Sequence, residues 1–231
     1  MLSRQDNERA TLPVFLVLGG KPCLVIGAGQ IACRKAEWLL ESGSRVIVIA
    51  REVCTAMRDL ETMHEGRLSV RMAAFGEAGI QVTDYALIIS ACGDEEVNRA
   101  LYERATAAGV PLNVADVPEL CSFFVPATIR RGPVCLAIGT GGTCPGLAKH
   151  LRQSLEEWLP DWYACFAEAL ADTRIWLRSF PDTSAQQRHE IMALLMQEHA
   201  LDIFRESSVD QMKAHMRRMA ASLLNEGKAG S

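Results

Sequence analysis

The first half of the chain alternates short strand-like segments with amphipathic helical patterns. The strand-like segments are residues 23–26, 45–50, 68–72, 86–91 and 112–115. The helical patterns between them are residues 31–40, 52–65 and 95–108. Residues 23–26 and 86–91 are almost entirely apolar, which is typical of strands covered on both faces. The alternation predicts an α/β fold with a doubly wound parallel sheet.

The pattern changes after Pro118. Residues 122–129 and 134–138 are predicted to form a β pair joined by residues 130–133. A glycine-rich loop at residues 139–145 then opens a helix that is expected to end near residue 159.

The C-terminal part is predicted to be helical. It begins with a helix over residues 162–180, and two sequences typical of capping boxes follow, Ser184-x-x-Gln187 and Ser208-x-x-Gln211. Residues 227–231 are expected to form a frayed tail. An apolar stripe at roughly helical spacing is expected to pack against another domain or subunit; its members are Met192, Leu195, Met196, Ile203 and Phe204.

The turn between the first strand and the first helix carries Gly27-x-Gly29-x-x-Ala32. Gly27 permits a tight turn, Gly29 lets the backbone approach a phosphate, and Ala32 lets the helix pack closely on the strand. The free N–H groups at the start of the helix then face an anion. The motif therefore predicts that a dinucleotide binds here, and the alternative is an ordinary strand–turn–helix.

Right-handed crossovers place the ligand of such a sheet outside the carboxyl ends of its strands. Four segments are expected to converge there, namely residues 27–31, 50–52, 91–94 and 113–118. Glu52, which follows the glycines by about 20 residues, could accept a hydrogen bond from a ribose hydroxyl, whereas Arg51 could pair with a 2′-phosphate. The residues alone leave open whether the cofactor is NAD or NADP.

Composition and charge narrow the class of protein. The 231 residues are 49% hydrophobic and 23% charged, and their net charge of −4 argues against bulk nucleic-acid binding. No apolar run approaches the ~18 residues that span a bilayer, and the first ten residues are polar, so we expect a cytoplasmic protein without a membrane partner. The eight cysteines and five histidines lack metal-ligand spacing, so free thiols and no structural metal are expected.

Three ordered motifs stand out. Residues 27–35 read Gly-Ala-Gly-Gln-Ile-Ala-Cys-Arg-Lys, residues 113–118 read Asn-Val-Ala-Asp-Val-Pro, and residues 138–145 read Ile-Gly-Thr-Gly-Gly-Thr-Cys-Pro. In this order they resemble the motifs GGGxVAxRK, NVVDxP and xSSGGxSP of the precorrin-2 dehydrogenase and sirohydrochlorin ferrochelatase family, whose module also forms the N-terminal half of siroheme synthases. Residues 94–98 also fit DDxxVN, and the resemblance spans residues 12 to about 160.

The resemblance implies oxidation of precorrin-2 to sirohydrochlorin with NAD, in a homodimer. It divides the chain into an NAD-binding Rossmann domain at residues 1–118, a β dimerisation region at 119–145 and a helical domain at 146–231. Asp116 matches the catalytic aspartate of the family, and its alternative role is to cap the turn into Val117-Pro118. Some relatives also insert Fe²⁺, so a chelatase activity, added or exclusive, stays an alternative, as does a non-catalytic nucleotide-sensing domain.

Sheet geometry and the resemblance together supply the remaining site residues. The expected cofactor-binding residues are Gly27, Gly29, Gln30, Ile31, Arg51, Glu52, Cys92 and Asn113. The expected substrate-binding residues are Thr140, Gly141, Gly142, Thr143, Arg34 and Lys35. Further basic candidates for the substrate's carboxylates, each otherwise a solvated charge, are Arg130, Arg131, Lys149 and Arg152. Thr140 stands where the family has serine, and the glycine-rich loop is alternatively only a tight turn.

Overall fold

Five parallel strands form one sheet in the computed structural model of the chain, which describes residues 11–196 and 208–229. The strands are β1 (Pro22–Ile26), β2 (Arg45–Ala50), β3 (Leu68–Met72), β4 (Leu87–Ser90) and β5 (Leu112–Val114). Their order is β3-β2-β1-β4-β5, so the chain reverses its progress across the sheet between β1 and β4. The predicted doubly wound parallel sheet is therefore confirmed, and this reversal marks where such a sheet binds its ligand.

Alternate side chains of the strands point into two separate cores. On one face, Cys23 and Val25 of β1 pack with α1 (Gln30–Glu41) and α2 (Thr55–Met63). On the other face, Leu24 and Ile26 pack with α3 (Glu95–Ala108). Helices thus cover both faces of the sheet and leave its carboxyl edge to the loops.

Small buried side chains bring α1 close to the sheet. Ala32 and Ala36 are both fully buried, whereas the larger Ile31 and Trp38 on the same helix are 41% and 42% exposed. Gly43, which has a positive φ of 79°, follows the end of the helix.

The predicted ends of α3 are confirmed, but α2 is shorter than predicted. Asp94 caps α3 by accepting a hydrogen bond from the backbone N–H of Val97 at 3.2 Å, and Gly109, with φ of 66°, ends it. The helix predicted over residues 52–65 begins only at Thr55, because Cys54 occupies its N-cap position with extended backbone. Residues 51–54 are consequently free to form a loop at the end of β2.

The chain divides into two compact units. The first comprises the described residues up to Val125 together with Gly141–Thr143, and the second comprises Pro126–Thr140 and the described residues from Cys144 onward. The three-part functional division at residues 118 and 145 stays a prediction.

A two-stranded antiparallel sheet begins the second unit, with β6 (Ala127–Arg131) and β7 (Val134–Ile138). The prediction that residues 130–133 form the connection was wrong, since the pairing continues to Arg131 opposite Val134. The loop is only Gly132-Pro133, and the φ of 54° at Gly132 suits the first position of a two-residue hairpin. A Cβ at Gly132 would also lie 3.0 Å from the Cβ of Ala164, so packing favours glycine there as well.

The described residues of the second unit also form four helices: α4 (Pro145–Trp158), α5 (Trp162–Leu177), α6 (Ala185–Leu195) and α7 (Val209–Ala229). Phe166 and Ala169 of α5 pack with Met212 and Met216 of α7. An ion pair also joins these helices, with Asp172 and Arg217 2.7 Å apart. Within the described part of the chain, no helix is both long and apolar enough to cross a membrane.

Both predicted capping boxes are confirmed. Gln187 and Gln211 each donate a backbone N–H to the preceding serine hydroxyl and accept that serine's N–H on the side chain. Each box opens the helix that was expected.

The remaining helical predictions need correction. The helix predicted to reach residue 180 ends at Leu177, and α7 continues through Gly227 to Ala229, where a frayed tail was expected. The apolar stripe is partly internal to the second unit, since Leu195 is fully buried with Leu177, Ile191 and Ala220. Met192 is partly buried and Met196 is 52% exposed. Ile203 and Phe204 of that stripe lie outside the described residues.

A buried polar contact ties β4 to α3. The Ser90 hydroxyl donates to Oδ1 of Asn98 at 2.6 Å, and the two residues are 0% and 4% exposed. We expect Asn98→Ala to lower the free energy of unfolding by about 1–3 kcal/mol, because the Ser90 hydroxyl loses this acceptor inside the core. Urea denaturation measures the change.

Glu103→Ala is the control, since Glu103 is exposed on the same helix. It should change the free energy of unfolding by less than about 0.5 kcal/mol. Equal losses in the two variants would contradict a structural role for the buried contact.

Candidate functional site

A cavity of about 660 Å³ opens at the carboxyl edge of the five-stranded sheet. Its size lies within the range of about 300–1,000 Å³ that is usual for ligand pockets. The loops after four strands line it, at residues 26–29, residues 49–54, Ala73 with Phe75, and Ala91 with Cys92, Asp94 and Val97. Three of the four segments predicted to converge therefore do so, and the segment after β5 is not part of this lining.

Gly27 directly follows β1 and contacts the end of β2 and the residue after β4. Its N–H donates to the carbonyl of Ile49 at 2.8 Å, and its φ is 102°. A Cβ at this position would lie 2.6 Å from the carbonyl oxygen of Ala91, closer than any side chain tolerates. The fold itself thus requires glycine at residue 27.

Gly29 differs, because nothing in the protein requires it to be glycine. Its φ of −83° is ordinary, and a Cβ there would meet no protein atom within 4 Å. Gly29 is the N-cap of α1, and no side chain caps the helix there. Gln30 and Ile31 of the first turn are exposed. Open space above uncapped backbone N–H groups at a helix start fits a phosphate group.

Arg51 and Asp94 form an ion pair from two different walls of the cavity. Nη2 of Arg51 lies 3.0 Å from Oδ2 of Asp94, and the side chains are 72% and 32% exposed. Glu52, next to Arg51, also lines the cavity and is exposed. The sequence predicted Arg51 and Glu52 as cofactor-binding residues and placed Asp94 in a segment at this edge, but it did not predict the ion pair.

Sequence reasoning also missed the wall formed by Ala73 and Phe75. These residues follow β3, the strand beyond β2, so the rule that loops at the carboxyl edge form the site could have included them. The guanidinium of Arg104 lies over the Phe75 ring, 5.3 Å from its centroid, and donates a hydrogen bond to the carbonyl of Ile80. Phe75 therefore presents a supported aromatic ring to the cavity.

Cys92 and Asn113 were both expected at the cofactor, but the structure places them differently. Cys92 lines the cavity, and its thiol lies 3.7 Å from Oδ1 of Asn98. Asn113 is 7% exposed and donates its amide to the carbonyl of Phe123 at 3.0 Å, away from the cavity lining. Its amide thus ties β5 to the following segment, and a cofactor contact by Asn113 stays a prediction.

Asp116 is the one non-glycine among the described residues with positive φ, at 62°. It lies in the turn closed by the N–H of Val117 and the carbonyl of Val114, 3.4 Å apart. This backbone conformation favours glycine, and another residue there costs on the order of 1–3 kcal/mol. An exposed aspartate kept under such strain directly after β5, the edge strand of the sheet, is a candidate functional carboxylate.

Lys35 lies within electrostatic range of Asp116. Burial lowers the pKa of the Lys35 ammonium, and the charge of Arg34 lowers it further, while the carboxylate of Asp116 acts in the opposite direction. Its Nζ lies 4.6 Å from the ring centroid of Trp38. Arg34, in contrast, is exposed. The structure thus associates one of the two predicted basic residues with the candidate carboxylate.

The glycine-rich loop has backbone reasons for its glycines. Gly141 and Gly142 have φ of 61° and 78°, and a Cβ at Gly142 would lie 3.3 Å from the Phe124 ring. Gly141–Thr143 belong to the first unit, whereas Thr140 belongs to the second, where its hydroxyl oxygen accepts from the N–H of Cys144 at 3.2 Å. These contacts support the tight-turn interpretation, and carboxylate binding by the loop stays a prediction.

Two of the additional basic candidates take part in ion pairs within the second unit. Nε of Arg131 lies 2.7 Å from Oδ1 of Asp161, and it also donates to the carbonyl of Leu159. Arg152 pairs with Glu156, 2.5 Å away. A search of residues 11–196 and 208–229 finds no group of three or more His, Cys, Asp or Glu side chains arranged to hold a metal ion.

Comparisons with known proteins bear on the same residues. A family model described as "Putative NAD(P)-binding" matches residues 14–127. Siroheme synthase from Methylobacillus flagellatus is 38% identical over 178 residues, which are 77% of this chain and 37% of that protein. Siroheme synthase from Ectopseudomonas mendocina is 33% identical over 221 residues, 95% of this chain and 44% of that protein. The chain therefore spans less than half the length of these curated relatives.

A solved structure, SirC, precorrin-2 dehydrogenase, shares the fold. It superimposes with a TM-score of 0.71 over 93% of this chain and 100% of its own, at 24% sequence identity. The matched model covers the glycine turn, the cavity and Asp116, so the first unit is a nicotinamide-nucleotide-binding domain. By these sequence matches, the chain belongs to the family of the siroheme synthases.

Proposed function

We propose that this chain oxidises precorrin-2 to sirohydrochlorin with NAD⁺, a step of siroheme biosynthesis. The observation that carries the proposal is the strained Asp116, which holds a carboxylate at the carboxyl edge of the sheet at a cost to backbone stability. The dinucleotide cradle at Gly27 and Gly29 lies at the same edge. A redox reaction that releases a proton requires both features.

The cradle supports binding of the dinucleotide at the start of α1. Gly29 leaves room for the pyrophosphate, and the backbone N–H groups at the start of α1 donate to its oxygens. Glu52, at the end of β2, accepts a hydrogen bond from the adenosine ribose. Phe75 offers an aromatic face for the adenine ring, supported by Arg104.

The reaction removes two electrons and two hydrogens from the macrocycle. When bound, NAD⁺ supplies a hydride acceptor at its nicotinamide ring. Asp116 accepts the proton that leaves the substrate, directly or through water, and passes it to solvent because its side chain is exposed. Lys35, within electrostatic range of Asp116, binds a carboxylate of the tetrapyrrole and so orients the reacting carbon.

Iron insertion is the second candidate activity, and it comes from the resemblance alone. The described residues contain no cluster of three or more metal-ligating side chains that would favour it. An assay with a metal chelator present separates the two activities, because the oxidation needs no metal. A non-catalytic nucleotide sensor would leave the strain at Asp116 without a purpose.

A homodimer is the proposed assembly. An exposed apolar segment supports it, since Leu12, Phe15 and Val17 are 82%, 71% and 82% exposed. Sedimentation velocity is expected to show a dimer at assay concentrations, and a monomer there would contradict the proposal. A cytoplasmic location stays an expectation of the sequence.

Gly29→Ala tests the dinucleotide cradle. We expect it to fold normally, with a loss of stability below about 1 kcal/mol for a poorer N-cap. It should bind NAD⁺ at least about tenfold more weakly, because the new methyl group occupies the space of the pyrophosphate. Isothermal titration calorimetry measures the affinity.

Gly19→Ala is the matched control, because a Cβ at Gly19 also meets nothing within 4 Å and Gly19 does not line the cavity. It should leave the affinity for NAD⁺ unchanged. Wild-type affinity in Gly29→Ala would exclude this position for the pyrophosphate.

Asp116→Asn and Asp116→Gly test the carboxylate. Asparagine and glycine both tolerate positive φ, so both variants should be at least as stable as the wild type. We expect each to bind NAD⁺ normally and to oxidise precorrin-2 more slowly by about 100-fold or more, because the proton acceptor is missing. The appearance of sirohydrochlorin, followed by absorbance without added metal, gives the rate.

If Asp116 only shapes the turn, the glycine variant will turn over as fast as the wild type. That result would remove Asp116 from the mechanism. Thermal unfolding of the same samples shows whether a slow variant is still folded.

A further inference from the structure

The ion pair between Arg51 and Asp94 has no part in the reaction as described. We propose that Asp94 makes this site selective for NAD over NADP, by neutralising the one arginine that could bind a 2′-phosphate. The inference rests on the proposed nicotinamide-dependent function. Asp94 lies outside the loop that follows β2, and it is in that loop that coenzyme selectivity is usually determined.

Arg51 stands where a 2′-phosphate would be recognised. It directly follows β2, and in this fold the residues at that strand end face the adenosine ribose. Its planar guanidinium is well suited to pair with a phosphate, and it is the one basic side chain that lines the cavity within the described part of the chain. Without a partner for its guanidinium, Arg51 would therefore favour NADP.

Asp94, in the wall of the cavity that follows β4, forms an ion pair with that guanidinium. Its Oδ2 lies 3.0 Å from Nη2 of Arg51, while its Oδ1 accepts from the N–H of Val97 at 3.2 Å. Because the second contact fixes the carboxylate at the start of α3, the first requires little further ordering of Asp94. Arg51 is consequently paired before any nucleotide arrives.

The local charges then disfavour a phosphate. A 2′-phosphate would meet the carboxylates of Glu52 and Asp94 against the single positive charge of Arg51. The 2′-hydroxyl of NAD is uncharged and can donate a hydrogen bond to Glu52 without disturbing the ion pair. Binding of NADP must instead break the ion pair and bring like charges together.

Asp94→Asn tests the inference. Asparagine caps helices as well as aspartate, so its Oδ1 can still accept from the N–H of Val97 and α3 should be retained. We expect the affinity for NADP⁺ to rise about tenfold, because Arg51 is released and one negative charge is removed. The affinity for NAD⁺ should change by less than about threefold. Titration calorimetry with each nucleotide, without substrate, measures both affinities.

Two further variants separate the ion pair from general electrostatics. Glu95→Gln removes the same charge from the neighbouring position of α3, but Glu95 does not line the cavity, so the ratio of the two affinities should stay at the wild-type value. Adding Arg51→Gln to Asp94→Asn should abolish the gain in NADP⁺ affinity. Thermal unfolding of each variant confirms that it is folded.

The outcomes distinguish this inference from the proposed function. If Asp94→Asn binds NAD⁺ but its affinity for NADP⁺ is unchanged, or rises equally in Glu95→Gln, the role of Asp94 is overturned and the dehydrogenase proposal stands. A gain that persists without Arg51 also overturns it. If the wild type binds neither nucleotide, both proposals fail together.

Discussion

The close approach of three strand ends at Gly27 is the constraint on which the site depends. The N–H of Gly27 bonds to Ile49 of β2, and the N–H of Ala91, after β4, bonds to Ile26 of β1, each at 2.8 Å. The carbonyl of Ala91 fills the space where any side chain at residue 27 would go. Because these backbones are locked together, the loops that follow β1, β2 and β4 leave the sheet around one cavity.

Different physical causes account for the two glycines of the same motif. Gly27 is required by the protein's own backbone, whereas Gly29 is required by nothing within 4 Å and leaves its space for a ligand. A similar contrast separates Asn113 and Asp116 at the end of β5. The Asn113 amide donates a buried hydrogen bond to the carbonyl of Phe123, whereas Asp116 is exposed and has a strained backbone. A glycine that the fold does not require, such as Gly29, and a strained backbone that does not stabilise the fold, such as that of Asp116, are the features that indicate function.

The order of strands and helices could be predicted from the sequence, because the signals that specify it are local. Apolar runs mark the buried strands, Asp94 caps a helix, and glycines end helices. Prediction from the sequence failed where distant residues decide the structure. The Arg51–Asp94 ion pair joins residues 43 positions apart, and its formation depends on how two loops leave the sheet. The tighter hairpin at Gly132 is a different case, because a glycine that opens a two-residue loop is a local signal that the prediction did not use. The wall at Phe75 was missed although β3 was predicted, because the loop after β3 was not counted among the segments at the carboxyl edge.

The proposed activity of this chain is hydride transfer from precorrin-2 to NAD⁺. The most direct test incubates the purified chain with precorrin-2 and NAD⁺ in the presence of a metal chelator, and measures NADH and sirohydrochlorin in the same sample. Hydride transfer from precorrin-2 to NAD⁺ should give equal molar amounts of the two products. Absence of NADH with a folded protein and intact precorrin-2 would contradict it, as would a tetrapyrrole product that forms only after metal is added.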